Sequence, residues 1–341
     1  MRPGHIIIAG AIVCAAGAGG AAQQSQSQAA AVDTDVHILH VQQNVYMIAG
    51  PGVNSAVQVG DDGVVVVDTM TAGAADKLVK AIRTLSSKPI LQIVNTHVHS
   101  DHTGGNAIVA NAGRFVANDQ NAPAAGFGAG APILATEHVL QNMTGSGKYK
   151  TASDLWPTES YFEDQRDLFR NGESIQVLSQ PKAHSGGDSL VYFRRSDVLV
   201  TGDVFTPQRY PVIDLEDGGS INGLIAGINR ILRITVPARN EEGGTFVIPG
   251  HGHLCDEADV SDYRDMVTIV RDRIQDAVNR KMTLEQVKAA KLTRDYDGIY
   301  ASGEYTGDMF VEAVYRSLTS TAAKAPAATV SPAKPPAGKK R

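Results

Sequence analysis

The residues best equipped for chemistry stand together in Asn95-Thr96-His97-Val98-His99-Ser100-Asp101-His102-Thr103-Gly104-Gly105-Asn106. In an extended chain alternate side chains share a side, so His97, His99 and Asp101 converge, and His102 breaks the parity where the chain turns. Four ligand-type side chains then crowd one strand end. Three imidazoles and a carboxylate so placed lack compensation on their own; with a divalent cation they form a mixed nitrogen/oxygen site suited to zinc. The alternative is a polar turn that happens to be rich in histidine.

Three further segments each place a ligand-type residue after an apolar strand: Ala183-His184-Ser185-Gly186-Gly187-Asp188, Thr201-Gly202-Asp203-Val204 and Pro249-Gly250-His251-Gly252-His253. Singly each is weak, because His and Asp beside glycine are common in turns. Together with the first cluster they give seven candidates, a coincidence that turns do not explain.

The elements that must position them follow from periodicity. His37–Val41, Val45–Ala49, Ser55–Val59 and Val64–Asp68 are β-branched segments separated by Gly, Asn and Asp, the pattern of an antiparallel meander. Val64-Val65-Val66-Val67 is continuously apolar, which predicts a strand covered on both faces. Ala72–Leu85 has helical spacing, with Leu78, Ile82 and Leu85 on one face, and Pro89–Asn95 returns to strand. Residues 110–171 resist assignment: Gly126-Phe127-Gly128-Ala129-Gly130 reads as a mobile loop, and Trp156, Tyr161 and Phe162 have no evident partners. Strands are expected at Ser174–Leu178, Ser189–Arg194, Val198–Thr201 and Thr245–Ile248. Helices are expected at Ile221–Arg233, Ser261–Arg280, Thr283–Lys291 with a Thr283/Gln286 capping box, and Asp308–Leu318.

The motif His97-x-His99-x-Asp101-His102, followed in order by His184, Asp203 and His251, resembles the metallo-β-lactamase superfamily from about Val36 to Leu318. The resemblance implies an α/β fold, a four-layer αββα sandwich of two similar halves with metals at one edge between the sheets. It implies one zinc held by His97, His99 and His184, a second by Asp101, His102 and His251, and Asp203 bridging, with Asp101 and Asp203 the carboxylates of the catalytic set. A carboxylate at position 99 would favour iron, as in flavodiiron relatives, so His99 favours two zinc ions. Iron stays the alternative, because persulfide dioxygenases keep a similar ligand set.

Charge then suggests the reaction. Two Zn²⁺ with Asp101, Asp203 and a bridging hydroxide leave about one positive charge facing the substrate by formal counting, and zinc lowers the pKa of its water to about 7. The expectation is hydrolysis of a carbonyl bond in an ester, lactone, thioester or amide of a small-molecule substrate. β-Lactam opening is the runner-up, and an iron-dependent, non-hydrolytic redox enzyme the alternative of another class. The largest β-lactamase subclass has Cys where Asp203 stands and often a Lys soon after. Here only Arg209 is a nearby cation, a candidate carboxylate anchor or an ordinary surface arginine, with Tyr210 beside it. Asp68 ends the valine strand and is a candidate partner for a ligand imidazole; Asp188 is either such a partner or a turn acid. His253 reads as a neighbour of His251, and Cys255 as a small buried thiol.

Composition sets the boundaries. The net charge is −5 over 341 residues. With Arg2 and the five cations after Leu318 set aside, the body carries −11, which argues against a nucleic-acid substrate. Residues 1–22 combine Arg2, the apolar run Ile6–Ala16 and small residues to Ala22, the parts of a secretory signal peptide. The protein is therefore expected to be exported, periplasmic or secreted, with no stable membrane span after cleavage. Removal of Cys14 would leave Cys255 alone, so no intrachain disulfide is expected. Residues 23–34 read as a flexible leader, 35–318 as the hydrolase domain, and 319–341 as a disordered basic Ala/Pro/Lys tail. The oligomeric state is left open.

Overall fold

The structure, a computed structural model, describes residues 35–115, 130–240 and 243–324. The expected signal peptide, the leader, most of the Gly126–Gly130 loop and the end of the basic tail lie outside the described residues.

Strands β1 (His37–Gln42), β2 (Val45–Ala49), β3 (Asn54–Val59) and β4 (Val64–Val67) form the antiparallel meander. Gly63 supports the turn into β4 at φ +151°, a conformation that side chains rarely adopt. All four valines of β4 are buried, and their alternation divides them. Val65 and Val67 enter the core between the sheets, whereas Val64 and Val66 pack toward α1 (Ala72–Leu85). Leu78 and Ile82 are the buried face of α1, which carries the chain to β5 (Ile90–Val94), parallel to β4. After the short helices α2 (Ser100–Thr103) and α3 (Asn106–Asn111), β6 (Ile133–Thr136), α4 (Glu137–Thr144) and β7 (Glu159–Tyr161) complete a seven-stranded sheet in order β1 to β7. Both β6 and β7 fall where periodicity gave no assignment, because strands of four and three residues are too short to show a period. Tyr161 is buried in the inter-sheet core, Trp156 packs in a small cluster with Val98 and Val139, and Phe162 is exposed.

The second sheet has the order β12-β11-β10-β9-β8. Its strands are β8 (Gln165–Arg170), β9 (Glu173–Gln180), β10 (Asp188–Phe193), β11 (Val198–Gly202) and β12 (Phe246–Pro249). Helix α5 (Ile221–Ile234) connects β11 to β12, which run parallel. Its buried Leu224, Ile228 and Ile231 share a core with α6 (Glu257–Asn279), α7 (Leu284–Ala289) and α9 (Gly307–Lys324), while α8 (Asp297–Tyr300) contributes Tyr300 at its edge. Helices, sheet, sheet, helices is the four-layer αββα sandwich expected.

Two helix boundaries differ from the sequence reading by more than two residues. Helix α6 begins at Glu257 rather than Ser261, because Asp256 and Asp259 form a capping box ahead of the apolar stripe. Helix α9 runs to Lys324, six residues into the segment read as disordered tail, with the Thr319 hydroxyl bonded to the Tyr315 carbonyl.

Candidate metal centre

The strands end where the ligand-type residues begin. His97, His99, Asp101 and His102 follow β5, His184 lies between β9 and β10, Asp203 follows β11, and His251 follows β12. His97, His102, His184 and Asp203 are buried, whereas the Asp101 side chain is 39% exposed. All seven sequence candidates therefore meet at one edge of the sandwich, in overlapping groups: His97/His99/His184, His97/His102/Asp203 and Asp101/His102/His251.

In the first group His99 Nδ1 stands 3.2 Å from His97 Nε2 and 3.0 Å from His184 Nε2. A tetrahedral ion with bonds of about 2.0–2.1 Å has edges of about 3.3 Å, so these nitrogens already outline one face of a zinc site. In the second group His251 Nε2 is 3.4 Å from Asp101 Oδ2 and 3.4 Å from His102 Nε2. Asp203 addresses both groups. Its Oδ1 lies 3.1 Å from His251 Nε2 and 3.4 Å from His102 Nε2, and its Oδ2 lies 3.8 Å from His184 Nε2.

Whether these residues suit a cation is tested by their outward partners. His102 Nδ1 donates to Asp68 Oδ2 at 2.8 Å, His184 Nδ1 to the Val212 carbonyl at 2.8 Å, and His99 Nε2 to Asp214 Oδ2 at 3.0 Å. His251 Nδ1 donates to the Gly52 carbonyl. His97 Nδ1 donates to Thr96 Oγ1 at 3.0 Å, and that hydroxyl donates to Asp68 Oδ2 at 2.7 Å. Each ring thus has one nitrogen tied outward and turns the other inward, where its neutral form offers a lone pair. Asp203 Oδ1 is buried without a hydrogen bond. An orphaned carboxylate oxygen among inward lone pairs fits a cation, and the donor set fits zinc.

Without a cation the electrostatics divide the rings. Burial, with the neighbouring His102 and His184 rings, holds His97 well below the usual imidazole range, keeping it neutral. Burial opposes the charge on His102, but Asp68 and Asp203 outweigh it and raise the ring well above that range. Burial likewise opposes charge on Asp203, yet His251 and His102 hold its carboxyl well below the usual range.

The remaining candidates divide. Asp68, at φ +60° just after β4, ties His102, Thr96 and through it His97 together. Asp188 accepts from the Ser185 amide and hydroxyl at 2.7 and 2.8 Å, so it acts as the acid that holds the His184 turn. Arg209 turns one Nη onto Asp203 Oδ2 at 3.3 Å. Tyr210 is not brought to the cluster: it is buried against the helical layer, donating to Asp297 and stacking on Phe310.

Asp214 and Tyr149 were not foreseen. Asp214 Oδ2 receives both His99 Nε2 and the Tyr149 hydroxyl, while its Oδ1 receives the amides of Glu216 and Asp217. Burial opposes its ionisation, but His99 and Tyr149 hold its carboxyl below the usual range. Asp214 lies 115 residues from His99 in a segment without a motif, so no sequence signal marks it; Thr96, beside His97, could have been suspected. Asp214→Asn is expected to weaken the first cation by about 10–100-fold, the usual cost of an outer partner, in a chelator-competition titration. Asp188→Asn should leave that affinity nearly unchanged and lower the melting temperature instead. Equal affinity losses would show that Asp214 does not orient His99.

The profile of the metallo-beta-lactamase superfamily matches residues 48–254, which include every residue of the cluster. The chain belongs to the metallo-beta-lactamase superfamily. Similar structures from this superfamily's fold include a metallo-beta-lactamase from Pontibacter korlensis, 16% identical with a TM-score of 0.53, covering 69% of this chain and 99% of that one. The stereoselective inverting sec-alkylsulfatase Pisa1 from Pseudomonas sp. is 17% identical with a TM-score of 0.57, covering 82% of this chain and 50% of that one. In sequence, the alpha subunit of 2,4-dinitroanisole O-demethylase from Nocardioides sp. (strain JS1661) is 25% identical over 159 residues, 45% of this chain. The match spans only 42% of that subunit's length. For a member of the metallo-beta-lactamase superfamily, a metal cofactor at this edge follows from the His/Asp groups.

Proposed function

We propose that the chain is an exported, zinc-dependent hydrolase that cleaves an activated carbonyl bond, in an ester, lactone, thioester or amide, of a small molecule. The observation that carries this reading is Asp203, whose two oxygens address the two ligand groups separately. On it, His97, His99 and His184 hold one zinc, Asp101, His102 and His251 the other, and Asp203 both. A zinc pair supplies a Lewis-acid surface and a water activated at neutral pH.

The protein's own groups do the rest. Asp68, Asp214 and the Val212 and Gly52 carbonyls fix the ring orientations, so little reorganisation is needed when charge develops on the substrate. Asp101 is the more exposed of the two ligand carboxylates. Lys148 Nζ is 3.7 Å from Asp214 Oδ2 and lies over the Tyr149 ring. Arg209 is drawn to Asp203, which leaves it a poor anchor for a β-lactam carboxylate; weak β-lactamase activity is therefore expected.

The names of the relatives favour a second reading, cleavage of a C–O bond in a sulfate ester or an activated aryl ether. A panel of chromogenic esters, lactones, thioesters and β-lactams, with 2,4-dinitroanisole and a secondary alkyl sulfate, separates the two. Chelator-sensitive turnover of at least one ester, lactone or thioester is expected. Turnover confined to the ether or the sulfate would replace the carbonyl reading, and efficient turnover of β-lactams alone would reverse the order of the first two. Export rests on the signal-like residues 1–22; a full-length chain retained inside the cell would remove that part. No helix among the described residues is long and apolar enough to cross a membrane.

A further inference from the structure

Beyond the seven residues of the main centre, the described residues hold one more mixed donor group, His253, Cys255 and Asp259, whose ligand atoms all lie within 4.8 Å of one another. Each is placed by a different device. Cys255 is pinned by a two-way bridge to Val247, with N–O distances of 2.8 and 2.9 Å. Asp259 is the third residue of α6, where its Oδ2 accepts the Asp256 amide at 3.1 Å and its carboxylate also stands within hydrogen-bonding reach of the Cys255 thiol. His253 is exposed on the intervening loop, and the Cys255 thiol donates to its carbonyl at 3.3 Å.

A cleft of about 170 Å³ opens beside the group, lined among others by Pro207, Gln208, His253, Asp259, Asp262 and Tyr300. Asp259 and Asp262 line it, and Asp256 and Glu257 precede them in the chain, a negative charge that concentrates cations. We propose that His253, Cys255 and Asp259 form a separate site for a divalent transition-metal ion of the zinc class, with its fourth position open to the cleft.

A thiolate with an imidazole selects zinc or cobalt(II) over calcium or magnesium, which take oxygen ligands. Bonds of about 2.0–2.3 Å require donor separations shorter than 4.8 Å. Rotation of the exposed His253 and Asp259 side chains supplies the closure while Cys255 stays fixed. Binding converts the thiol to a thiolate, so the sulfur–metal bond forms as one S–H bond breaks and one proton leaves to solvent. Burial and the Asp259 and Asp256 carboxylates push the thiol up, so the ion competes with a proton that is firmly held. Its donors stand up to 4.8 Å apart and must close, whereas those of the main centre already lie 3.0–3.4 Å apart, so this site binds more weakly and fills last.

This assignment is independent of the reaction at the main centre, because none of its three donors belongs there. The main centre contains no sulfur ligand, so a thiolate-to-cobalt charge-transfer band in the near ultraviolet can come only from a cysteine. In the full chain carrying Cys14→Ser, stripped with a chelator and titrated with cobalt(II), we expect that band to saturate at one ion per chain, after the visible d–d bands of the histidine cluster. Cys255→Ser should abolish it. His253→Ala and Asp259→Asn, both at exposed positions, should each weaken the last ion by at least about tenfold, on the scale of losing even an outer partner, and leave the d–d bands unchanged. Absence of the charge-transfer band at excess cobalt(II) would overturn the site, as would a band of unchanged affinity in the His253 and Asp259 variants. Failure of the main centre to take cobalt would instead count against the hydrolase reading and leave this band as the separate criterion.

Discussion

On the proposed zinc pair, Asp203→Asn is expected to abolish practical turnover and to release at least one of the ions. The carboxylate stands between two sets of donors, with Oδ1 nearest His251 and His102 and Oδ2 facing His184 and Arg209. An amide of the same shape supplies no negative charge and presents an N–H to one of the two groups. Removing one partner of a buried charge pair costs about 3–5 kcal/mol, which is on the order of 10²–10⁴-fold in affinity or rate. Asp188→Asn should cost far less, because its contacts are with Ser185. Parallel metal titrations and kinetics of the two variants check this; matching losses would mean that the bridge lies elsewhere.

Removal of metal should also loosen the fold. Without a cation, Asp203 Oδ1 is a buried acceptor lacking a hydrogen bond, and the inward nitrogens of His97, His99 and His184 crowd one another. A ligand present at about 1,000 times its Kd stabilises the native state by about 4 kcal/mol. For a domain of this size, at about 2–4 °C per kcal/mol, that is a melting temperature lower by about 8–16 °C after chelation. Differential scanning calorimetry with and without chelator, followed by zinc re-addition, measures it. A transition unmoved by chelation would show that the cluster is stable without metal.

Much of the centre was legible because it is local. His97 and His99 converge as their alternation predicts, but Asp101 and His102 fall on the single helical turn Ser100–Thr103, so Asp101 joins His102 and His251 rather than His97 and His99; the other three ligands each follow an apolar strand. Asp68 was legible for the same reason, as the residue ending a run of four buried valines. What could not be read is the set of contacts that only the sandwich creates. Asp214 reaches His99 across 115 residues, Val212 reaches His184 across 28, and Gly52 reaches His251 across 199. Arg209 and Tyr210 are neighbours in sequence, yet one turns to Asp203 and the other is buried beneath α9 residue Phe310. The same limit applies to the fold: long periodic elements such as α1 and α5 declared themselves, whereas β6 depends on being hydrogen-bonded beside β5 and β7 on being hydrogen-bonded beside β6.

The most direct test of the account is the metal itself. Elemental analysis of dialysed Cys255→Ser protein, in which the weaker thiolate-containing site cannot contribute, is predicted to find close to two zinc ions per chain, and fewer in the same protein carrying Asp203→Asn. Mainly iron, or a single ion after reconstitution with zinc, would contradict the Asp203-bridged zinc pair.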